Sequence, residues 1–348
     1  MKIKRTINII ICGTCFGNWY IQAVKNKNII LKGVIARGSE SSKRIANQNH
    51  VPLYTNINDV PWEEIDLAVI AIKSLVSGGN GGKIAEKIML KGVSVLQEQP
   101  VHYTEVEHLI NVARENKCCY LVNNFYKYFP AIKKFKSFLK KLDTYKIVRI
   151  SMDCSFQVLY PLLDILSMIM GGLKTITIDN FHIGEVRICS GNIKEIPYLL
   201  NIYHEYNSDN LDDSMRFFFK ISIETTAGNL VLFDPHGPII WQQHFLMIFD
   251  QWHRTDYENM QYVRERPIEI LYNVTNENYK DIFYKIWMNS MVESIEFFFD
   301  LVQNKDGYLI AMERTLECCV IWNKFGKKIG LPRKICEPYQ KAVSFKIQ

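Results

Sequence analysis

Two short stretches near the start of the chain carry residue types suited to binding a phosphorylated nucleotide. The first, Cys12-Gly13-Thr14-Cys15-Phe16-Gly17, follows the apolar run Ile7–Ile11 and opens a helical pattern. A tight turn from a strand into a helix lets backbone N–H groups face a pyrophosphate, which assigns Gly13, Thr14, Cys15, Phe16 and Gly17 to cofactor binding. The glycine pattern G-x-G-x-x-G is incomplete: with Gly17 as the third glycine, Cys12 and Thr14 stand at the first two. Cys12 and Cys15 also make a C-x-x-C. Redox or zinc chemistry there needs a thioredoxin-like setting or a second ligand pair, and the sequence has neither, so no metal is expected.

The second stretch is Ala36-Arg37-Gly38-Ser39-Glu40-Ser41-Ser42-Lys43-Arg44. NAD-specific folds place an acid after the second strand, on the ribose 2′-hydroxyl. Here Arg37, Ser39 and Ser42 would meet a 2′-phosphate, with Lys43 or Arg44 adding charge. NADPH is therefore the expected cofactor. Ser39 also suits the N-cap of the following helix, and both roles are compatible. A third stretch, Lys73-Ser74-Leu75-Val76-Ser77 followed by four glycines in five residues, permits close approach of backbone to cofactor or substrate, or a mobile loop. Lys73 and Ser74 join the cofactor set.

Such residues need elements to position them. Apolar runs at Ile7–Ile11, Leu31–Ala36, Leu67–Ile72, Val93–Leu96 and Tyr120–Val122 alternate with helical patterns at Phe16–Lys25, Lys83–Leu90 and Glu105–Glu115. Continuous apolar strands between amphipathic helices imply a parallel sheet covered on both faces, doubly wound. After about residue 125 the pattern changes. A basic helix over Pro130–Leu142, a strand over Ile147–Cys154 and an apolar helix over Leu159–Met170 precede strands at Thr175–Ile183, Met215–Thr225 and Asn229–Phe233. Helices over Tyr279–Gln303 and Tyr308–Gly330 close the chain. The fold class expected is α/β: a Rossmann domain over 1–124, then an α+β domain over 125–348 with an open, mainly antiparallel sheet.

Composition narrows the setting. The 348 residues are 48% hydrophobic with a net charge of +6 and both signs mixed, which suits two globular domains rather than a nucleic-acid binder. No stretch approaches the roughly 18 apolar residues of a membrane span. Nine scattered cysteines, two pairs of them adjacent, do not form a disulfide framework, so a cytoplasmic location is expected.

The fifth strand runs into Leu96-Gln97-Glu98-Gln99-Pro100-Val101-His102. With the glycine turn and the two-domain plan, this resembles the Gfo/Idh/MocA oxidoreductases, which carry Glu-Lys-Pro here and use the lysine in proton transfer. Gln99 stands at that lysine. The family's His-x-x-Asp is matched by Pro161-Leu162-Leu163-Asp164, with Pro161 at the histidine. Alcohol oxidation needs a base for the hydroxyl proton, so these departures argue against it. The glycine turn, Val95–His102, Gln157–Leu166 and His236-Gly237-Pro238 with Trp241 are similar to the thiazolinyl imine reductase branch of siderophore biosynthesis. That resemblance implies NADPH-dependent reduction of a thiazoline C=N to a thiazolidine, on a substrate tethered to a carrier-protein domain of a nonribosomal peptide synthetase. It also implies a homodimer, Glu98, Gln99 and Pro100 beside the cofactor, and Tyr160 and His236 beside the substrate.

Reduction at carbon leaves the nitrogen in need of a proton. The nearest ionisable candidates to the relevant strand ends are His102, Tyr126 and Tyr128, and the branch uses a histidine and a tyrosine around these positions. Tyr126 or Tyr128 is expected as the acid, with His102 as its partner or as the alternative. Two further readings stay open: a reductase or dehydrogenase of another small imine, sugar or cyclitol, and a nucleotide-binding scaffold or regulator without catalysis.

Overall fold

The computed structural model describes residues 6–25, 27–184, 186–207, 215, 217–260, 266–274 and 278–336. Six parallel strands form the first sheet: β1 (Ile7–Cys12), β2 (Ile29–Ile35), β3 (Leu53–Tyr54), β4 (Leu67–Ile70), β5 (Ser94–Glu98) and β6 (Tyr120–Asn123), in the order β3-β2-β1-β4-β5-β6. Helices α1 (Gly17–Ala23), α2 (Glu40–Gln48), α3 (Gly81–Met89) and α4 (Tyr103–Glu115) connect them. The central strands bury nearly every side chain, which is why they read as unbroken apolar runs. The order reverses between β1 and β4, where an open α/β sheet presents a crevice at its carboxyl ends.

Helices α5 (Pro130–Lys141) and α6 (Leu159–Met170) lead into the second sheet. Its strands are β7 (Ile147–Ser155), β8 (Asn180–Ile183), β9 (Val186–Ile193), β10 (Ile196–Tyr203), β12 (Phe219–Thr225), β13 (Gly228–Leu232), β14 (Ile239–Gln243) and β15 (Ile268–Tyr272). They lie in the order β15-β14-β13-β12-β7-β10-β9-β8, with only β7 and β10 parallel. A small ladder pairs β11 (Glu205–Asn207) with β16 (Arg333–Ile335). The expected α/β fold with a second, mainly antiparallel sheet is therefore present.

The strand expected over Thr175–Ile183 is confined to Asn180–Ile183. The carbonyl of Thr177 is taken by the Tyr198 hydroxyl at 2.7 Å instead of a neighbouring strand. The strand expected from Met215 begins at Phe219, and Arg216 lies outside the described residues. Short helices α7 (Tyr257–Met260) and α8 (Tyr279–Asp281) precede a π-helical turn, Ile282–Trp287, which runs into α9 (Met288–Val302); α10 (Lys305–Ile329) follows. These last two helices return to the first sheet. α9 packs on α1 and the turn after β6, while α10 packs on α4, α6 and β6. The crevice at the carboxyl ends of β5 and β6 is thus enclosed by elements from both halves of the chain. No helix among the described residues is long and apolar enough to cross a membrane.

Candidate active site

The turn after β1 is built for a close approach. Gly13 has φ +96°, and a Cβ there would sit 2.8 Å from the Ala71 carbonyl oxygen. A Cβ on Gly17 would already meet Ile11 Cγ2 at 3.3 Å, so this glycine lets α1 lie close on the sheet. Thr14 and Phe16 are half-buried and Cys15 is exposed at the rim. Such a turn fits a dinucleotide, and Gly13 to Gly17 would hold it. Cys12 is buried, and burial pushes its thiol far above the usual range, so it makes no reactive pair with Cys15.

After β2, Arg37 is exposed and has no hydrogen-bond or ion-pair partner among the described residues. Ser39 caps α2, its Oγ accepting the Ser42 N–H at 3.3 Å. Ser42 differs from its expected place: it is 1% exposed and its hydroxyl donates to the Ser39 carbonyl at 2.8 Å. It holds the helix start rather than presenting itself to a ligand. Lys43 pairs with Glu40 at 2.8 Å.

The glycine run after β4 is filled from within. A Cβ on Gly79 would lie 1.9 Å from the Lys73 carbonyl oxygen, and one on Gly82 would lie 1.8 Å from Glu105 Oε1. Gly79 and Gly82 thus make room for Lys73 and Glu105, whereas Gly78, at φ +75°, has open space around it. Lys73 is exposed. Ser74 is buried and donates to the Pro100 carbonyl at 2.6 Å, fastening the loop after β4 to the loop after β5.

The end of β5 carries three polar residues in succession. Gln97 is fully buried and accepts from the Tyr120 hydroxyl at 2.9 Å. Glu98 Oε2 accepts from the Tyr20 hydroxyl, and from Asn123 Nδ2 at 3.4 Å; its Oε1 is sealed from solvent without a partner. Burial pushes this carboxyl up to about 7, against the pull of Tyr20, Asn123 and the Gln99 N–H. Gln99 Oε1 is likewise sealed and unpaired. An unpaired buried polar atom costs about 1–3 kcal/mol, and several gathered at one strand end suggest a place where a ligand completes the bonding.

His102 caps α4. Its Nδ1 lies 2.8 Å from Thr104 Oγ1 and accepts the Thr104 N–H at 3.4 Å, while Nε2 lies 3.1 Å from Asn323 Oδ1 on α10. Both ring nitrogens are thus engaged within the chain, one by Thr104 and the other by Asn323. No hydrogen bond or ring contact among the described residues joins His102 to Tyr126 or Tyr128; the expected pairing is replaced by Thr104 and Asn323.

Tyr126 is enclosed by Phe125, Phe129, Phe218 and Trp287, with ring centroids 4.4–5.9 Å away. Burial, then the Glu98 charge, raises its hydroxyl far above the usual tyrosine value. Tyr128 lies against Phe297 on α9, and burial with the Asp164 and Glu293 charges raises it likewise. His236 belongs to the Tyr126 cluster. Its Nε2 accepts from Trp287 Nε1 at 3.1 Å, its Nδ1 meets Asp234 Oδ1 at 2.6 Å, and its ring stacks on Phe129. Tyr160, expected at the substrate, is 1% exposed and packs against α10, edge-on to Trp322.

Three residues given no role in the sequence reading join this site. Asp164, the one charged residue of α6, binds Lys127 Nζ at 2.9 Å and Asn124 Nδ2 at 3.1 Å. A lone carboxylate in an otherwise apolar helix needs such partners, and that was its available signal.

Residues 7–124 match the family described as the GFO_IDH_MocA oxidoreductase family, NAD-binding Rossmann fold. The match covers the Rossmann part of the chain and stops at the end of the first sheet. A comparison with curated protein sequences gives no match. Among solved structures, KijD10, a 3-ketoreductase from Actinomadura kijaniata in complex with NADP, has a TM-score of 0.66 at 11% identity, covering 96% of this chain and 100% of its own. An oxidoreductase from Agrobacterium radiobacter in complex with NAD+, L-tartaric acid and magnesium reaches 0.69 at 11% identity, covering 93% and 96%. UDP-N-acetylglucosamine 3-dehydrogenase GnnA from Acidithiobacillus ferrooxidans reaches 0.65 at 11% identity, covering 93% and 97%. At these identities the likeness is one of fold, and it extends over nearly the whole chain.

Proposed function

We propose that this chain is an NADPH-dependent reductase of a C=N bond, acting on a carrier-tethered thiazoline in nonribosomal siderophore biosynthesis. One observation carries the choice of reaction. The end of β5 and the head of α6 present Gln99 and Pro161, neither of which can accept or release a proton. Oxidation of an alcohol requires a base at the reacting oxygen; reduction of C=N does not. The reduced cofactor supplies a hydride. The chain's own residues bind it through the Gly13–Gly17 turn and select its 2′-phosphate through Arg37 and Ser39.

The carrier domain is expected to be acidic and to meet the basic helix α5. Lys133 there is already paired with Glu293 at 2.7 Å, which leaves Lys134, Lys136, Lys140 and Lys141 as the docking cations. A homodimer in the cytoplasm completes the reading. A second reading, dehydrogenation or reduction of a sugar or cyclitol, is favoured by the names of two structural neighbours, a 3-ketoreductase and a nucleotide-sugar 3-dehydrogenase. A non-catalytic scaffold is the third.

The deciding experiment incubates the purified protein with NADPH and a carrier-bound or small-molecule thiazoline, and in parallel with NADP and a panel of sugars and cyclitols. A product heavier by two hydrogens supports the first reading. Turnover only in the second arm supports the second, and cofactor binding without turnover in either arm supports the third.

A further inference from the structure

We infer that Glu98 tells the two oxidation states of the cofactor apart: its carboxyl is neutral beside NADPH and ionised beside NADP+. The inference rests on the reading of this chain as one that binds a nicotinamide nucleotide, and not on the identity of the substrate.

A dinucleotide lies across the crevice where the strand order reverses, with one nucleotide over each half of the sheet. Arg37, after β2, belongs to the half that takes the phosphorylated ribose, so the nicotinamide half is β4, β5 and β6. Those strands end in Ile70, Glu98 and Asn123, and only Glu98 of the three can carry a charge. Its side chain is pinned in place. Oε2 accepts from the hydroxyl of Tyr20, which lies three residues beyond the Gly13–Gly17 turn. Asn123 Nδ2 donates to the Tyr20 oxygen at 2.6 Å and to Glu98 Oε2 at 3.4 Å, and it lies 3.3 Å from Ser294 Oγ on α9. The carboxyl therefore links the helix behind the pyrophosphate turn to the strand end on the nicotinamide side. With Oε2 taken twice, Oε1 is the oxygen left over, sealed from solvent and without a partner.

No fixed charge within the chain decides the state of this carboxyl. Glu98 has no ion pair among the described residues. The titratable groups facing it are the hydroxyls of Tyr20 on α1 and Tyr126 on the turn after β6. Burial raises both far above the usual tyrosine range, so both stay neutral. Burial pushes the acid up, and the bonds from Tyr20, Asn123 and the Gln99 N–H pull it down, leaving it at about 7. One nearby charge is enough to tip a group so poised. The nicotinamide ring is cationic in NADP+ and neutral in NADPH, while the phosphates and riboses are the same in both. Beside the cationic ring Glu98 loses its proton; beside the neutral ring it keeps it. In a turnover Glu98 thereby releases one proton as the hydride departs. Hydride and proton together are what reduction of one double bond takes up, and water restores the proton of Glu98 when the oxidised cofactor leaves.

The test measures cofactor binding, not turnover. Kd for NADP+ and for NADPH is determined from about pH 5.5 to about pH 8.5, for wild type and for Glu98→Gln. Protonation of the phosphates acts on both cofactors alike, so the ratio of the two constants isolates the ring. In wild type a neutral Glu98 must give up its proton to meet NADP+, which costs affinity below about pH 7 and not above it. The ratio of Kd for NADP+ to Kd for NADPH should therefore fall roughly tenfold across this range and level off at its upper end, tenfold being one unit of displacement in the acid. In Glu98→Gln the ratio should be constant, with thermal melts showing that the variant is folded. Calorimetry of wild type at pH 7, in two buffers of different ionisation enthalpy, should show more proton released with NADP+ than with NADPH. That measurement needs no variant and decides the matter even if Glu98→Gln does not fold. A ratio independent of pH in wild type, equal proton release with the two cofactors, or a fall that persists in folded Glu98→Gln would overturn the inference and leave the nucleotide reading intact. If wild type binds neither cofactor, the nucleotide reading itself is removed, and the inference with it.

Discussion

Lys127, on the turn after β6, and Asp164, on α6, form an ion pair of 2.9 Å across the junction of the two halves. Asp164 is 3% exposed and Lys127 22%, so the acid is the deeper partner. The pair does more than join the halves: through Asn124 it sets the orientation of an amide at the sheet end.

Removing the lysine leaves a buried carboxylate with only the neutral Asn124 amide and Cys318 thiol to oppose it. Breaking a buried pair costs about 3–5 kcal/mol, and partial exposure of Lys127 places this one near the lower end. Lys127→Met should therefore lower stability by about 2–3 kcal/mol in urea unfolding, and adding Asp164→Asn should restore roughly half of that. A single variant within about 0.5 kcal/mol of wild type would show that the pair is not what holds this junction.

Glu98 gives a pH signature. Its carboxyl is raised from 4.5 to about 7 in the native state, so the native protein holds a proton that the unfolded chain has released between those values. Stability contributed by the protonated acid is present below about pH 4.5, declines as pH rises toward 7, and is level above it. In Glu98→Gln this decline should be absent when urea midpoints are followed from pH 5 to pH 8. An unchanged slope would place the titration elsewhere.

Cofactor choice depends on Arg37. Losing a charge-assisted bond to phosphate costs about 1.5–3 kcal/mol, so Arg37→Ala should weaken NADPH about 10- to 100-fold and leave NADH nearly unaltered. Ser42→Ala should act instead on the start of α2, lowering the melting temperature slightly without changing the ratio of the two cofactors. Equal weakening of both cofactors by Arg37→Ala would refute the assignment.

Tyr126 and His102 can be separated by their surroundings. A general acid works best with a pKa near the working pH, and burial carries Tyr126 well away from it. Tyr126→Phe should keep the aromatic enclosure, bind NADPH normally and lose less than tenfold in kcat. His102→Ala should cost about 1 kcal/mol through loss of the α4 cap, seen in the melting curve. A fall of about 10²-fold or more in kcat for Tyr126→Phe, with NADPH binding intact, would make that hydroxyl the proton source after all.

The first sheet was legible because parallel strands covered on both faces are apolar at every position, as in Ile7–Ile11 and Leu67–Ile70. Strands β9 and β10 were not foreseen. Arg187, Ser190, Asn192, Pro197 and Asn201 interrupt them because one face of that sheet is only partly covered. The glycine turn and the Arg37 stretch could be read from local spacing. The cluster of Trp19, Phe125, Tyr126, Phe129, Phe218, His236 and Trp287 could not, since no local pattern links residues separated by up to the length of the fold. The packing demand on the glycines after β4 was hidden for another reason: their spacing is local, but the atoms that need the room, Lys73 O and the Glu105 carboxylate, become evident only in three dimensions.

β6 is the outermost strand of the first sheet, and such a strand ordinarily offers a free row of N–H and C=O groups to any extended chain that drifts past. Here the Tyr308 hydroxyl accepts the N–H of Tyr120 at 3.0 Å and donates to its carbonyl at 3.3 Å. One phenol therefore answers both main-chain groups of the residue that begins the strand, while α10 lies alongside. Recruitment of a foreign strand would have to displace that hydroxyl and peel the helix away, so the fold guards itself against edge-to-edge aggregation with a side chain instead of a charge or a proline.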